Sequence, residues 1–374
     1  MIEVNENTKL LPLGKLANYI NGRGFKASEL TTKGLPIIRI ANLNNKNAPY
    51  DFYKGYLDDA HTINTGDILV SWSASLDTYI WDRETAALNQ HIFKVVPNLE
   101  KVDKEYLYFV LKFSMMGLRK IAHGATMKHV TRPEFEGFNI AVVMCKDTQR
   151  KIATKLKTQL AEVETARKAL EIQEKEIVKL ANSYIRHSIE QTKTTEHRLG
   201  DVLIDVKKGI GETWKDYPVL GATRNGLAPA KEPPGKYPHR YKPVFNQTVF
   251  YNPMRIMIGS IAFVDNDDKP GITSPDYVAL QGKENQVDSR WFYYWLRSPY
   301  GEHCISSLAR GAVRERMLFN RLAEGVIQLP SYQVQYQISK SLAALRPIKN
   351  AIQQQLDELN KIPERILTQA FNQL

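Results

Sequence analysis

Leu13-Gly14-Lys15-Leu16 returns as Leu199-Gly200-Asp201-Val202, and each is followed within about a dozen residues by a Gly-x-Gly turn, Gly22 to Gly24 and Gly209 to Gly211. The match extends outward. Val102-Asp103 with Tyr106-Leu107-Tyr108 is echoed by Val287-Asp288 with Phe292-Tyr293-Tyr294, and Ala122-His123-Gly124-Ala125 by Ala309-Arg310-Gly311-Ala312. Gln149 with Ile152 is matched by Gln335 with Ile338, at nearly the same offset and in unbroken order. A repeat this long means that one structural unit is built twice.

Each half changes character once. From Leu10 to about Met144, short β-branched and aromatic runs such as Pro36-Ile37-Ile38-Arg39-Ile40 and Asp67-Ile68-Leu69-Val70 alternate with Gly, Asn and Asp turns, which predicts strands. Between Thr148 and Gln191 there is no Gly or Pro, and Leu156, Val163, Leu170, Ile177 and Tyr184 recur every seven residues. That spacing predicts a long helix with a narrow apolar seam. Ile338, Leu342, Leu345, Ile352, Leu356, Leu359 and Ile366 predict a second one from Tyr332 towards Leu374, with Pro347 and Pro363 as points of kinking or breakage. Two such seams are satisfied most simply against each other. The expected segments are a β-rich domain over 1–147, a helix over 148–192, a second β-rich domain over 193–331 and a second helix over 332–374.

The chain has 374 residues, 51 Lys and Arg against 40 Asp and Glu, and a net charge of +11, which favours an anionic partner. An apolar content of 43% is that of an ordinary globular protein. Two cysteines, Cys145 and Cys304, cannot build a disulfide framework or a four-thiolate zinc site, which fits a reducing cytoplasm. Met1 to Pro12 carries Glu3 and Glu6 and no apolar run, so no secretory signal of the usual form is expected. Ile256 to Val264, an uncharged and mostly apolar stretch in the second half, is about half of the ~20 residues a membrane helix needs, and no membrane association is expected.

Familiar catalytic motifs fail on inspection. Gly22-Arg23-Gly24-Phe25-Lys26-Ala27 fits a loose dinucleotide-loop string, but position 42 is Asn42 where an acidic residue is needed and the flanks predict turn and strand. Asn252-Pro253-Met254-Arg255 lacks the second proline and the aromatic with which an adenine methyltransferase holds a flipped base. Pro275-Asp276 and Glu284 lack the acidic-x-Lys ending of a metal-dependent nuclease, since Lys283 precedes Glu284. The eight histidines form no HExxH pair, and no phosphate loop or nucleophile elbow occurs.

Binding chemistry is better represented. Leu308 to Arg316 places Arg310, Arg314 and Arg316 around a glycine, and the equivalent first-half segment has His123, Lys128, His129 and Arg132. Arginine can hold guanine through two parallel hydrogen bonds, and lysine can position a phosphate. Arg23, Lys26 and Arg39 add cations beside the first glycine turn. Asn42, Ser71, Ser73 and Ser75 in the first half, and Thr223, Arg224, Asn225 and Tyr251 in the second, are polar groups at predicted strand ends, where a loop can reach a groove. Trp72, Trp81 and Trp214 are large enough to stack on bases.

Taken together, these features resemble the specificity subunit of type I restriction-modification systems. Pro12-Leu13-Gly14 with Gly22-Arg23-Gly24-Phe25, Gly34-Leu35-Pro36-Ile37-Ile38-Arg39, Gly66-Asp67-Ile68-Leu69-Val70 and Gly124-Ala125-Thr126 before a long helix carry the resemblance. It implies an α+β fold in which two β-rich target-recognition domains are each followed by a conserved helix, the helices pairing as an antiparallel coiled coil with pseudo-two-fold symmetry. It further implies a non-catalytic chain that reads one half of a bipartite, asymmetric double-stranded DNA site with each domain. Two modification subunits would bind S-adenosylmethionine and methylate adenine, and restriction subunits would supply ATP- and Mg2+-dependent translocation and cleavage. The chain itself would hold no cofactor or metal. In the second half, Tyr217-Pro218-Val219-Leu220-Gly221-Ala222 replaces the Pro-Ile-Ile-Arg-Ile-Ala string and Gln247-Thr248-Val249 replaces Gly-Asp-Ile. The alternatives are a specificity subunit of another restriction class, a fused nuclease or methyltransferase, and a docking protein that binds no DNA.

Overall fold

The computed structural model describes residues 8–122, 129–309 and 316–373. The chain divides into two compact units, Met1–Lys168 with Asp357–Leu374, and Ala169–Leu356.

In the first unit, strand Thr8–Pro12 runs antiparallel to Asn139–Val143 and ties together the ends of the β-rich segment. Between them lies an antiparallel sheet in the spatial order Ala17–Asn21, Ile92–Pro97, Ile68–Ser71, Asp77–Ile80. Successive strand residues point to opposite faces. Ile68 and Val70 therefore join one apolar cluster, with Tyr106, Val110 and Leu111 of helix Lys104–Ile121, while Leu69 joins another, with Ile38, Ile63 and Leu88. Both faces are covered, which is why Ile68 to Val70 reads as a continuous apolar run rather than an alternating one. The second cluster is supplied by a mixed sheet in the order Leu30–Thr31, Asp51–Tyr53, Leu35–Ile38, Ala86–Leu88, Thr62–Ile63.

The second unit repeats this framework. Thr194–Arg198 pairs with Val326–Pro330, and the four-stranded sheet has the order Leu203–Asp205, Val278–Gly282, Thr248–Tyr251, Ile261–Val264. Val249 and Tyr251 again face one cluster and Phe250 another. The divergence lies in the outer layer. In place of the five-stranded mixed sheet there are two antiparallel pairs, Leu220–Thr223 with Gly226–Pro229 and Lys242–Val244 with Gly271–Thr273. This is the stretch in which the two halves of the sequence part company.

The long helices are Lys146–Glu190 and Tyr332–Leu359, the latter followed by Ile362–Phe371. Pro347 lies inside an unbroken helix, whereas Pro363 sits in the first turn of a separate one, where its missing amide costs no hydrogen bond. The first long helix gives Ile152, Ala153 and Leu156 to the first unit's core, which also takes Leu367 and Phe371 from the terminal helix. In the second unit, Ala181 and Ile185 share a cluster with Leu342 and Leu345. Along the first helix, Leu156 near one end and Ala181 and Ile185 near the other are buried, while Val163, Leu170, Ile177 and Tyr184 are half-buried. The fold is thus the α+β arrangement read from the sequence.

Gln149 and Gln335 explain one of the sequence echoes. Both are fully buried in the first turn of a long helix. Gln149 Oε1 accepts the Asp103 amide at 2.6 Å, and its Nε2 donates to the carbonyls of Lys101 and Val143. Gln335 repeats the pattern with the Asp288 amide and the carbonyls of Gln286 and Pro330. Asp103 and Asp288 in turn cap the helices that follow them, accepting amides of Glu105 and Tyr106 and of Trp291.

Candidate nucleic-acid interface

In each unit the candidate residues gather at one end of the four-stranded sheet. In the first, Asn21, Ser71 and Ile92 lie at the same end of neighbouring strands, as the register pairs Asn21 with Phe93 and Ser71 with Ile92. Three turns leave that end: Gly22–Gly24, Asn89–His91 and Trp72–Leu76. Gly22 is required by close packing, because a Cβ there would lie 2.1 Å from the Asn89 carbonyl oxygen. His129 bridges antiparallel to Ser73, and the Val130 amide donates to the Trp72 carbonyl, so the chain following residues 123–128 rejoins the fold at this tip.

The predicted residues differ in what they can offer. Lys26 and His129 are exposed. Arg23 donates to Glu29 and to Tyr53 Oη and lies over the rings of Phe25 and Tyr53, so much of its guanidinium is already engaged. Arg39 is paired with Asp51 at 2.8 Å on an exposed edge. Asn42 is buried, its amide bonded to the carbonyls of Ala48 and Pro49 and its oxygen to the Arg39 amide. Ser71 and Ser73 are buried as well, and Ser71 Oγ bonds the carbonyls of Ser73 and Ser75. These three were expected to contact DNA; Asn42 and Ser71 instead commit their side chains to backbone groups of their own loops, and Ser73 is buried beside them. The same correction applies to Tyr251, whose side chain is wholly buried and whose phenol is pushed far up by burial and then by the Asp205 charge. Trp81 is buried too, donating to the Glu84 carbonyl. Lys128, Arg310 and Arg314 lie outside the described residues.

In the second unit, the equivalent sheet end releases the turn containing Lys207 and Lys208, the segment Ser274–Tyr277 and the tip Asn252–Gly259. The Met317 amide donates to the Pro253 carbonyl, as Val130 does to Trp72, which brings exposed Arg316 to the tip; its guanidinium meets Asp276 at 3.3 Å. Arg224 and Asn225 are exposed in the adjoining hairpin turn. Arg297 fixes this hairpin to the tip, donating to the carbonyls of Gly259, Ile261 and Arg224 at 3.1, 2.9 and 2.6 Å. Arg119 plays the corresponding part in the first unit through the Leu76 carbonyl. Sequence reasoning missed Arg255, which is exposed in the tip, and the Lys207-Lys208 pair, although two cations between a strand and the second glycine turn were a legible signal. Arg297 had no such signal, because its importance comes from three carbonyls distant in sequence.

Exposed guanidinium and ammonium groups around two sheet ends suit phosphates and base edges. Among the described residues, no group of three or more His, Cys, Asp or Glu side chains could hold a metal ion, and no helix is long and apolar enough to cross a membrane.

Residues 5–174 match the family model described as "Type I restriction modification DNA specificity domain". That match takes in the first β-rich segment and the first part of the helix that follows it. Over 173 residues, 46% of this chain, the sequence is 25% identical to the type I restriction enzyme EcoBI specificity subunit of Escherichia coli. The match spans only 36% of that relative's length. Among solved structures, the S subunit of a type I restriction-modification system from M. genitalium aligns with a TM-score of 0.54 and 16% identity, covering 99% of this chain and 98% of the other. A chain from a study of complex assembly and conformational transition in the type I system aligns at 0.63 and 16% identity, covering 99% of both. These structures share the fold over both halves, and within this chain the second module, outside the family match, repeats the first in its strand order and in the buried glutamine.

Proposed function

We propose that the chain is the DNA-recognition subunit of a type I restriction-modification system, without catalytic activity of its own, and that each module reads one half of a bipartite, asymmetric site. One observation carries this reading: an identical framework, built twice, presents two different sets of exposed polar and basic loops at the same sheet end. Identical readers would suit a symmetric site; different loops on a common frame suit two different half-sites. The first module would use Lys26, Arg39 and His129, with Arg23 as a partly engaged member, and the second Arg224, Asn225 and Arg316, with Lys128, Arg310 and Arg314 supplied by the segments between. Loops enter the major groove, where each base pair shows a distinct pattern of donors and acceptors.

The partners in this reading are double-stranded DNA, two modification subunits holding S-adenosylmethionine, and restriction subunits using ATP and Mg2+. The long helices, paired as a coiled coil, would set the unspecified gap. The test is to map methylated adenines in cells carrying the modification subunit with and without this chain. A single split motif dependent on the chain is expected. Methylation that is independent of the chain, or DNA methylated or cleaved by the purified chain alone, sinks the reading.

A further inference from the structure

The tip of the second module carries three large apolar side chains in the open. Met254, Met257 and Ile258 are 52, 57 and 66% exposed, around a short turn that closes at Gly259 with φ +80°. Ile256, between them, is buried and anchors the turn. The tip of the first module is different: Leu76 is buried and the Ser71 hydroxyl closes the loop on its own carbonyls. Exposed apolar groups scattered singly need no explanation, but three on one short turn do.

The surroundings indicate the occupant. Arg255 lies within the tip, Arg316 is held beside it through Met317, and Arg224 is bound to it through the shared guanidinium of Arg297. Arg224, Arg255 and Arg316 are exposed, and among the described residues the only ion pair of the three is that of Arg316 with the largely exposed Asp276. An apolar tip rimmed by cations is complementary to a surface that is anionic outside and apolar in one place within. In the major groove of B-DNA that place is the thymine 5-methyl group. Wedging between base pairs would also bury the tip, but it requires unstacking a step, whereas contact with a methyl group requires no deformation of the duplex.

We propose that Met257 and Ile258, with Met254 beside them, read thymine methyl groups in the half-site served by the second module. This rests on the DNA-recognition reading above and goes beyond it by naming a base and an apolar contact. Methionine suits the task, since its unbranched thioether adapts to a methyl group whose position varies with the base step.

The experiment uses the complex assembled with its modification subunits and a duplex carrying its mapped site. Each thymine of the second module's half-site is replaced in turn by deoxyuridine, which removes the methyl and leaves the hydrogen-bonding edge intact. At least one replacement is expected to weaken binding about fourfold, the value of one buried methyl group. The Met257→Ser, Ile258→Ser double variant is expected to lose that sensitivity while keeping its melting temperature and its response in the other half-site. A parent complex indifferent to every replacement overturns the inference, as does a double variant that keeps the parent's sensitivity, or one whose only change is in subunit stoichiometry. Failure of the underlying reading is distinguishable, since the complex would then show no split motif at all.

Discussion

At the residue scale, exposure separates residues able to touch a partner from those that hold a loop. Arg316 belongs to the first group. Its contact with Asp276 is long and solvent-exposed on both sides, so Arg316→Ala should leave stability within about 0.5 kcal/mol of the parent. If it reads a base, binding should weaken by ~1–3 kcal/mol, with the loss confined to one position of the second half-site. A competition assay over all substitutions of that half-site checks this, and a flat profile would reassign Arg316 to the phosphate backbone. Arg316, Arg224 and Lys26 are exposed, as residue type alone predicts, because long cationic side chains rarely stay buried. Residue type misplaced Asn42, Ser71, Ser73 and Tyr251, since a polar group at a strand end bonds to neighbouring carbonyls as readily as to a ligand, and only the loop's path decides.

At the scale of elements, the repeated glutamines explain why a long helix starts where it does. Gln149→Leu keeps the volume but leaves the Asp103 amide and two carbonyls without a partner, at ~1–3 kcal/mol for each group that stays unsatisfied. We expect a loss of about 3 kcal/mol, confined to the first unit and read by hydrogen exchange in helix Lys104–Ile121. A buried ion network has the equivalent importance in the second unit. Asp265 pairs with Arg290, which also reaches Ser339, and Arg346 joins Asp265 and Asp268. Burial alone would raise the Asp265 carboxyl, but the hydrogen bonds from Arg290 and the Asn266 amide, with the charges of Arg290 and Arg346, outweigh it and hold the group below the usual carboxylate range. A lowered folded-state value adds stability above the unfolded carboxylate value, near pH 4, and that stability is lost as the pH falls through the folded value. Asp265→Asn should therefore cost about 3 kcal/mol at neutral pH, and its calorimetric melting curve should approach the parent's below about pH 4. A constant difference across that range would mean that the pair contributes by packing alone. The sequence showed the helices and strands because their periodicity is local; it did not show this network, whose members are brought together only by the fold.

For the whole molecule, duplication is the feature from which the rest follows. It was legible because framework positions keep their residues: Gly22 against a carbonyl, Asp103 and Asp288 at helix starts, Gln149 and Gln335 in the first turns. The outer strands were not legible in the second half, because that layer departs from the strand pairing of the first half and the repeat gives no guide to it. Under the proposed function, a common frame with two readers makes spacing a property separate from recognition. Helix Lys146–Glu190, 45 residues long, extends ~68 Å, and its half-buried middle tolerates change better than its ends. A heptad inserted after Leu170 and another after Ile352 keep both apolar seams nearly in phase, within about 20°, and lengthen each helix by ~10 Å. At 3.4 Å per base step, the unspecified gap should grow by about three base pairs while both half-sites stay the same. Mapping methylated adenines in cells carrying the lengthened chain decides the matter: an unchanged gap in an active complex would take the spacing role away from the helices and give it to the modification subunits.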